Sequence, residues 1–343
     1  MHSRTSRPLI LVLVALSSLL TLLATACGGG GGEGGGPAFG LNSELVTSID
    51  FPSALAFTPD GRLFFTERNL GDVRIITPGG KLLDEPFAHV DVAQGFEWGL
   101  LAAAIDPDFA TNHFVYVYYT RLVDPQNPKV AQPVLARFTE ANNKATEPAV
   151  LLELPPTDPE HPYYHAGSSI EFGPDGYLYL TVGDYDKGDI AQDLAKLPGK
   201  ILRLNKADGS AAPDNPFVDD PNADPRIFAY GFRKAYDLAF EPQTGGLFAP
   251  DNNRSTCDEL NLVRAGRNYG WPLSREFEFA DCNQGQQTPP IYFFARPNMK
   301  PLDNLSTVFP TGVAFVSGQR YPKMGAGLLV CQFTTHLMRR LVI

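Results

Sequence analysis

Charge is scarce in this chain. Asp, Glu, Lys and Arg make up 19% of its 343 residues, too few for a fold of long solvated helices. Helical signal is scarce too. One short stretch, "DIAQDLAKLPGKILRLN", carries it, and Pro198 and Gly199 stop it. No GxGxxG follows a strand-like run, and no P-loop occurs, so neither phosphate-binding motif is available. The cysteines number four and show no CxxC or Cys/His spacing, which leaves no zinc signature. Basic residues are in deficit, 28 against 38 acidic, for a net charge of −10. A phosphate backbone would repel such a chain, so nucleic acid is not an expected partner.

Turn-forming residues are plentiful instead, with 32 glycines and 30 prolines beside 43% apolar residues. That balance suits many short strands around a sizeable core, in one large domain or two ordinary ones. The pattern repeats. An apolar strand, a Pro-Asp-Gly-like turn and a second apolar strand appear as "PSALAFTPDGRLFFTERN" at Pro52 and, with a longer turn, as "GLLAAAIDPDFATNHFVYVYYT" at Gly99. They return as "SSIEFGPDGYLYLTVGD" at Ser168, "AYDLAFEPQTGGLFAPDNN" at Ala235 and, more loosely, "TGVAFVSGQRYPKMGAGLLVCQF" at Thr311. Proline presets the turn and glycine tolerates positive φ. The spacing matches one four-stranded sheet per copy, and radial repetition of such sheets is a β-propeller. The expected fold class is therefore all-β, a six-bladed β-propeller type that lacks its last blade in this chain; a five-bladed ring closing on itself is the alternative.

The first residues read as an export segment. "MHSRTSRPLILVLVALSSLLTLLATAC" has two arginines, an interrupted apolar run and small residues before Cys27. The run is short for a membrane span. Residues 1–26 are expected to be a signal peptide. Its end resembles the lipobox of bacterial lipoproteins, which makes Cys27 the expected lipidation site; an ordinary secreted signal is the alternative. The glycine run from Gly28 to Gly36 has nothing to bury, so residues 27–40 read as a tether ahead of a propeller domain at 41–343. The expected location is the outer face of the cell membrane or the periplasmic or extracellular space. The lipid anchor is the only membrane contact expected. In an oxidising compartment Cys257 and Cys282 are the natural disulfide pair, and Cys331, in an apolar run, reads as a small buried residue.

Functional side chains on a propeller come from loops at one mouth of its channel. His165, Arg233 and Glu97 stand just ahead of three successive hairpins, at equivalent places around one channel. Histidine accepts a proton near neutral pH, and arginine stabilises negative charge developing on oxygen. The pair suits hydride removal from an alcohol or hemiacetal, and equally lactone hydrolysis.

The motifs "GLLAAAIDPDFATNHFVYVYYT", "HAGSSIEFGPDGYLYLTVGD", "LPGKILRLNKADGSAAPDNPF", "GFRKAYDLAFEPQTG" and "CDELNLVRAGRNYGWP" occur in this order. Together they resemble the soluble PQQ-dependent sugar dehydrogenases, the glucose/sorbosone dehydrogenase family, from about Phe51 to the last residue. The resemblance implies a six-bladed propeller that oxidises an aldose at the anomeric carbon, passing a hydride to pyrroloquinoline quinone (PQQ) with calcium as the second cofactor. It implies that His165 is the general base and that Arg233 stabilises the reduced quinone. Glu97 falls at a substrate-contacting glutamine, and Tyr164 at a substrate-assisting aspartate. Asn252 and Lys234 would lie at the quinone, Lys234 replacing an asparagine. Asn253 and Arg254 replace a Gly-Pro pair whose carbonyls bind the cofactor's calcium. Glu259 and Tyr269 resemble ligands of a structural calcium. Thr334 stands where a quinone-binding lysine is expected. The competing expectations are a non-catalytic propeller that binds carbohydrate or protein, and a calcium-dependent lactonase.

Overall fold

The computed structural model describes residues 45–157, 159–160, 162–253, 257–272, 288–294 and 307–343. The expected signal, the tether, Cys27, Arg254 and Cys282 lie outside them. Five antiparallel sheets follow one another in chain order, each strand pairing with its neighbour in sequence. The first holds Pro52–Phe57, Leu63–Glu67, Asp72–Ile76 and Ala88–His89. The second holds Leu100–Ile105, Phe114–Leu122, Ala131–Ala141 and Lys144–Glu153. Ile170–Phe172, Leu178–Val182, Lys200–Leu204 and Ile227–Tyr230 make the third. Ala239–Phe240, Leu247–Asp251, Glu259–Val263 and Tyr292–Phe293 make the fourth. Pro310–Val316, Gly327–Gln332 and Leu337–Leu341 make the fifth. This is a β-propeller with five sheets among the described residues, one for each sequence repeat.

The repeated turns are built alike. In the first, the Gly61 amide donates to the Thr58 carbonyl and the Thr58 amide to the Arg62 carbonyl; in the third, Gly176 donates to Gly173, and Gly173 to Tyr177. Gly61 and Gly176 take φ of +87° and +80°, the left-handed region that the third member of each Pro-Asp-Gly turn must enter. The expected helix is only a 3-10 turn, Gly188–Gln192. Its residues serve a loop of the third sheet instead of an amphipathic face.

The core lies between blades. Side chains alternate along each central strand, so one face of a sheet packs on the preceding sheet and the other on the following one. Tyr116 and Tyr118 join Leu178, Leu180 and Leu202 between the second and third sheets, while Val115 and Val117 face Phe64, Val73 and Ile75 between the first and second. Tyr179 and Ile201 turn the other way, onto Leu247 and Ala249 of the fourth sheet. Both faces of these strands are therefore apolar, which erases the alternating pattern of a half-solvated sheet.

Cys331 corrects one expectation: it is exposed. In Gly327–Gln332 the alternation puts Leu328 and Val330 against the fourth sheet and Cys331 on the opposite face.

Candidate functional site

Antiparallel pairing decides where the site forms. A residue ahead of the inner strand of a sheet lies at the same edge as the residue that follows the second strand. His165 precedes Ile170–Phe172, and Asp184 follows Leu178–Val182. In the fourth sheet Arg233 and Lys234 precede Ala239–Phe240, and Asn252 follows Leu247–Asp251. Glu97 precedes Leu100–Ile105 of the second. Three blades thus bring their polar residues to one mouth.

His165 is held from two sides and is 3% exposed. Its Nδ1 lies 2.6 Å from Asp184 Oδ1. The other oxygen of Asp184 accepts the indole N–H of Trp271 at 2.7 Å, and Oδ1 also takes the Asp186 amide at 2.9 Å. A carboxylate that receives N–H groups on both oxygens is an acceptor, so Nδ1 carries the proton and Nε2 presents its lone pair. On the backbone side, the His165 amide donates to Glu97 Oε2 at 2.7 Å. The third sheet approaches the His165 backbone closely: a Cβ on Gly183 would lie 2.3 Å from the His165 carbonyl oxygen. Tyr163, His165, Tyr185 and Asp186 all take positive φ, from +48° to +77°. Four non-glycine residues in that region mark a backbone that its surroundings hold under strain.

Lys234 Nζ meets the same Glu97 Oε2 at 2.7 Å, with 8% of the lysine side chain and 17% of the glutamate side chain exposed. Burial works against ionising Glu97, but Lys234 and His165 outweigh it and hold the carboxyl down to about 2. Burial also draws the Lys234 ammonium below its ordinary value, against the pull of Glu97. Arg233 lies 5.6 Å from the Trp271 ring and donates Nη1–H to the Asn252 carbonyl at 3.0 Å. Arg68 donates to the Phe96 carbonyl at 3.0 Å and stands 3.7 Å from the Phe51 ring. Neither guanidinium has a carboxylate partner among the described residues. Behind them Asp251 accepts the backbone N–H groups of Arg233 and Lys234 at 3.1 and 2.6 Å, and burial pushes its carboxyl up to about 7. Asn252 is buried, and its Oδ1 has no hydrogen-bond partner among the described residues.

The residues singled out in sequence fall into two groups. His165, Glu97, Lys234, Arg233, Asn252 and Tyr164 meet at the mouth; the Tyr164 ring lies 5.9 Å from the His165 ring. Asn253, Glu259 and Tyr269 lie further along the fourth sheet. Asn253 donates Nδ2–H to the Cys257 carbonyl at 2.6 Å. Glu259 is buried and accepts Nδ2–H of Asn261 at 3.0 Å, while Asn261 Oδ1 is buried without a partner among the described residues. The Tyr269 hydroxyl donates to the Leu262 carbonyl and accepts the Arg264 amide, so its backbone carbonyl is the oxygen it has left to offer a cation. Thr334 donates to the Thr307 carbonyl at 2.9 Å. Cys257 is disulfide-bonded, and its partner lies outside the described residues. Among the described residues no three His, Cys, Asp or Glu side chains gather as a metal site.

Three site residues, Asp184, Trp271 and Arg68, were missed in the sequence. Asp184 closes the same hairpin that His165 opens, and an acid at that register was a readable signal. Trp271 arrives from beyond the third strand of the fourth sheet and left no local signal.

Similarity to known proteins agrees with this architecture. The family model described as glucose/sorbosone dehydrogenase matches residues 49–343. The aldose sugar dehydrogenase YliI of Escherichia coli K12 is 28% identical over 298 residues, 83% of this chain and 76% of its own length. Quinoprotein glucose dehydrogenase B of Acinetobacter calcoaceticus is 29% identical over 257 residues, 66% of this chain and 51% of its own. The solved PQQ-bound form of an aldose sugar dehydrogenase from Streptomyces coelicolor aligns with a TM-score of 0.69 at 27% identity, covering 87% of this chain and 78% of that one. A propeller whose mouth carries a histidine–aspartate pair beside buried cations, matched over nearly all its described length, belongs to the glucose/sorbosone dehydrogenase family.

Proposed function

We propose that the chain is a PQQ-dependent oxidoreductase that oxidises an aldose at its anomeric carbon. The observation that carries this reading is the oriented imidazole: His165 Nδ1 is committed to Asp184 at 2.6 Å, which leaves Nε2 to accept the proton of the anomeric hydroxyl. The mouth suits an anionic cofactor. Among the described residues Arg233 and Arg68 lack carboxylate partners and Asn252 Oδ1 is buried and unpaired, and Lys234 adds a third cation. The guanidinium and ammonium N–H groups are donors that fit the carboxylates and carbonyls of PQQ, whereas Asn252 Oδ1 is an acceptor and would serve an N–H. When bound, the quinone supplies the acceptor for the hydride leaving the anomeric carbon. Arg233 then holds positive charge where negative charge develops on oxygen, and Glu97 presents an ionised acceptor to the sugar hydroxyls. Carbonyls of Asn253 and Arg254 are proposed to hold the cofactor's calcium, and Glu259 with the Tyr269 carbonyl a structural one; a hard cation takes such oxygens. The unpaired Asn261 Oδ1 beside Glu259 supports the second site.

The lactonase reading is not favoured, because the carboxylates of this mouth are committed to separate partners, Glu97 to Lys234, Asp184 to His165 and Trp271, and Asp251 to backbone amides, and do not converge on one cation. Export with a lipid on Cys27, a Cys257–Cys282 disulfide and a ring of the six-bladed type complete the proposal. The last is supported by Met338, 40% exposed and paired with Cys331 on the face of the fifth sheet turned away from the fourth.

The test is a titration of the chain without residues 1–26 with PQQ and calcium, followed by the quinone's absorbance, then an aldose panel with a dye acceptor. Binding and dye reduction that disappear in His165→Ala are the expected result. Absence of PQQ binding in the presence of calcium would overturn the reading.

A further inference from the structure

Trp271 touches both halves of the proposed chemistry. Its indole N–H donates to Asp184 Oδ2 at 2.7 Å, and Asp184 Oδ1 lies 2.6 Å from His165 Nδ1. An indole N–H is a donor only, so it suits the second oxygen of a carboxylate whose first oxygen serves the imidazole. The Arg233 guanidinium stands over the same indole, 5.6 Å from the ring centre. One buried side chain thus fixes the partner of the base and supports the cation.

A pair of side-chain amides seats that indole. Asn268 donates Nδ2–H to Gln192 Oε1 at 2.7 Å, and Gln192 returns Nε2–H to Asn268 Oδ1 at 3.1 Å. Gln192 Nε2 also donates to the Trp271 carbonyl, and Asn268 Oδ1 also accepts the Gly270 amide at 2.9 Å. The Gly270 N–H requires an oxygen on its side, which fixes the orientation of both amides. Gln192 ends the 3-10 turn Gly188–Gln192 of the third sheet, and Ala191 of that turn packs on Trp271. The Trp271 amide in turn donates to the Gly231 carbonyl at 2.9 Å, two residues ahead of Arg233. A Cβ on Gly231 would lie 2.3 Å from Asn268 Oδ1, so the backbone leading to Arg233 is pressed against the pair. Asn268 is 6% exposed, whereas Gln192 is exposed. Burial does not account for Gln192; its directed hydrogen bonds do.

We propose that Trp271 and Gln192 are positioning residues: the Gln192–Asn268 latch seats the indole, and the indole sets His165 through Asp184 and Arg233 through its ring. The roles of His165 and Arg233 rest on the dehydrogenase reading; the seating of the indole does not. The physical need is alignment. Without the indole N–H, Asp184 keeps one oriented oxygen and can turn about its last torsion, and the imidazole turns with it. Misplacing a reacting group by about 1 Å costs a rate factor on the order of a hundred. The latch joins the loop of the third sheet to the chain leaving the fourth, so the base of one blade and the cation of the next keep a fixed separation.

The experiment has two arms, both on the full-length protein. The first needs no cofactor. The chain has two tryptophans, so NMR follows solvent exchange of the Trp271 indole N–H with buried Trp98 as the internal control. Gln192→Met speeds exchange at Trp271 by about tenfold, the worth of a lost hydrogen bond, and leaves Trp98 and the Tm unchanged. The second arm measures kcat for glucose and the Kd of PQQ on calcium-loaded protein. Trp271→Phe keeps a ring under Arg233 and loses the N–H, so kcat falls about 10- to 100-fold while the Kd stays within about threefold. Trp271→Leu loses both, and the Kd also rises about 3- to 30-fold. Gln192→Met lowers kcat about three- to tenfold. Exchange at Trp271 within about twofold of the parent in Gln192→Met overturns the latch, and this arm decides the matter even if a Trp271 variant fails to fold. A kcat within about twofold of the parent in Trp271→Phe, or a loss matched by an equal loss of PQQ affinity, overturns the link to His165. Faster exchange in a protein that reduces no dye with any aldose would retain the latch and sink the dehydrogenase reading. Dye reduction by the parent, with exchange and kcat indifferent to these substitutions, would do the reverse.

Discussion

The ion pair between Glu97 and Lys234 offers the sharpest physical test. It joins two blades at 2.7 Å, with most of both side chains out of water. Opposite charges at that distance attract by about 6 kcal/mol at an effective dielectric constant of about 20, and desolvation of both ions offsets part of this. Glu97 gives a second measure. A fall from the ordinary 4.5 to about 2 corresponds to about 3 kcal/mol in favour of the ionised carboxyl. Its folded value is depressed, so this stabilisation is fully present above about pH 4.5 and is lost as pH falls towards 2. Lys234→Met removes the partner and strands a buried carboxylate that still accepts the His165 amide. It is expected to cost about 3 kcal/mol at pH 7. Glu97→Gln strands the ammonium but keeps an oxygen for His165, and costs less. The double variant Glu97→Gln/Lys234→Met leaves no stranded charge and should be more stable than the sum of the singles by about 2–3 kcal/mol. The assay is equilibrium urea unfolding of all four proteins at pH 7 and pH 3. A coupling energy below about 1 kcal/mol, the worth of a solvated pair, or a coupling equal at both pH values, would refute the reasoning.

Three further outcomes follow from the geometry. Asp184→Asn leaves the fold and PQQ binding intact but lowers kcat by about two to four orders of magnitude, because the amide no longer dictates which nitrogen of His165 carries the proton; a loss under about tenfold would assign Asp184 a purely structural part. Lys200 is buried with Nζ on the Ile190 and Pro198 carbonyls, and burial lowers its pKa to about 7. The unfolded chain then binds more protons between pH 7 and 10.5, so stability rises with pH across that window, and Lys200→Met should flatten the rise in thermal melts. Gly167→Ala places a Cβ 2.6 Å from the Thr181 carbonyl oxygen at φ +117°, and should cost more than about 3 kcal/mol, read as a Tm drop of several degrees.

Much of the architecture is local and therefore legible in one dimension. A Pro-Asp-Gly turn flanked by apolar strands specifies a hairpin from its own residues, and the hairpin's recurrence specifies the propeller. His165, Arg233 and Glu97 were found because equivalent places in a repeat become neighbours around a channel. The exposure of Cys331 was not legible, since an apolar run does not say which face of its sheet meets another sheet. Nor was the pairing of Glu97 with Lys234: each looked like an isolated departure from the family's pattern, and only their approach across two blades makes them one unit. Trp271 reaches Asp184 from 87 residues away, a separation at which no periodicity or spacing carries information. The sequence by itself determined the sheets, their turns and which polar residues stand ahead of each inner strand, because those are short-range properties of the backbone. The tertiary structure decided which nitrogen of His165 is free, which carboxylate is held ionised and which indole reaches Asp184. Those depend on distance and burial between blades, and both are set only when the ring of sheets packs together.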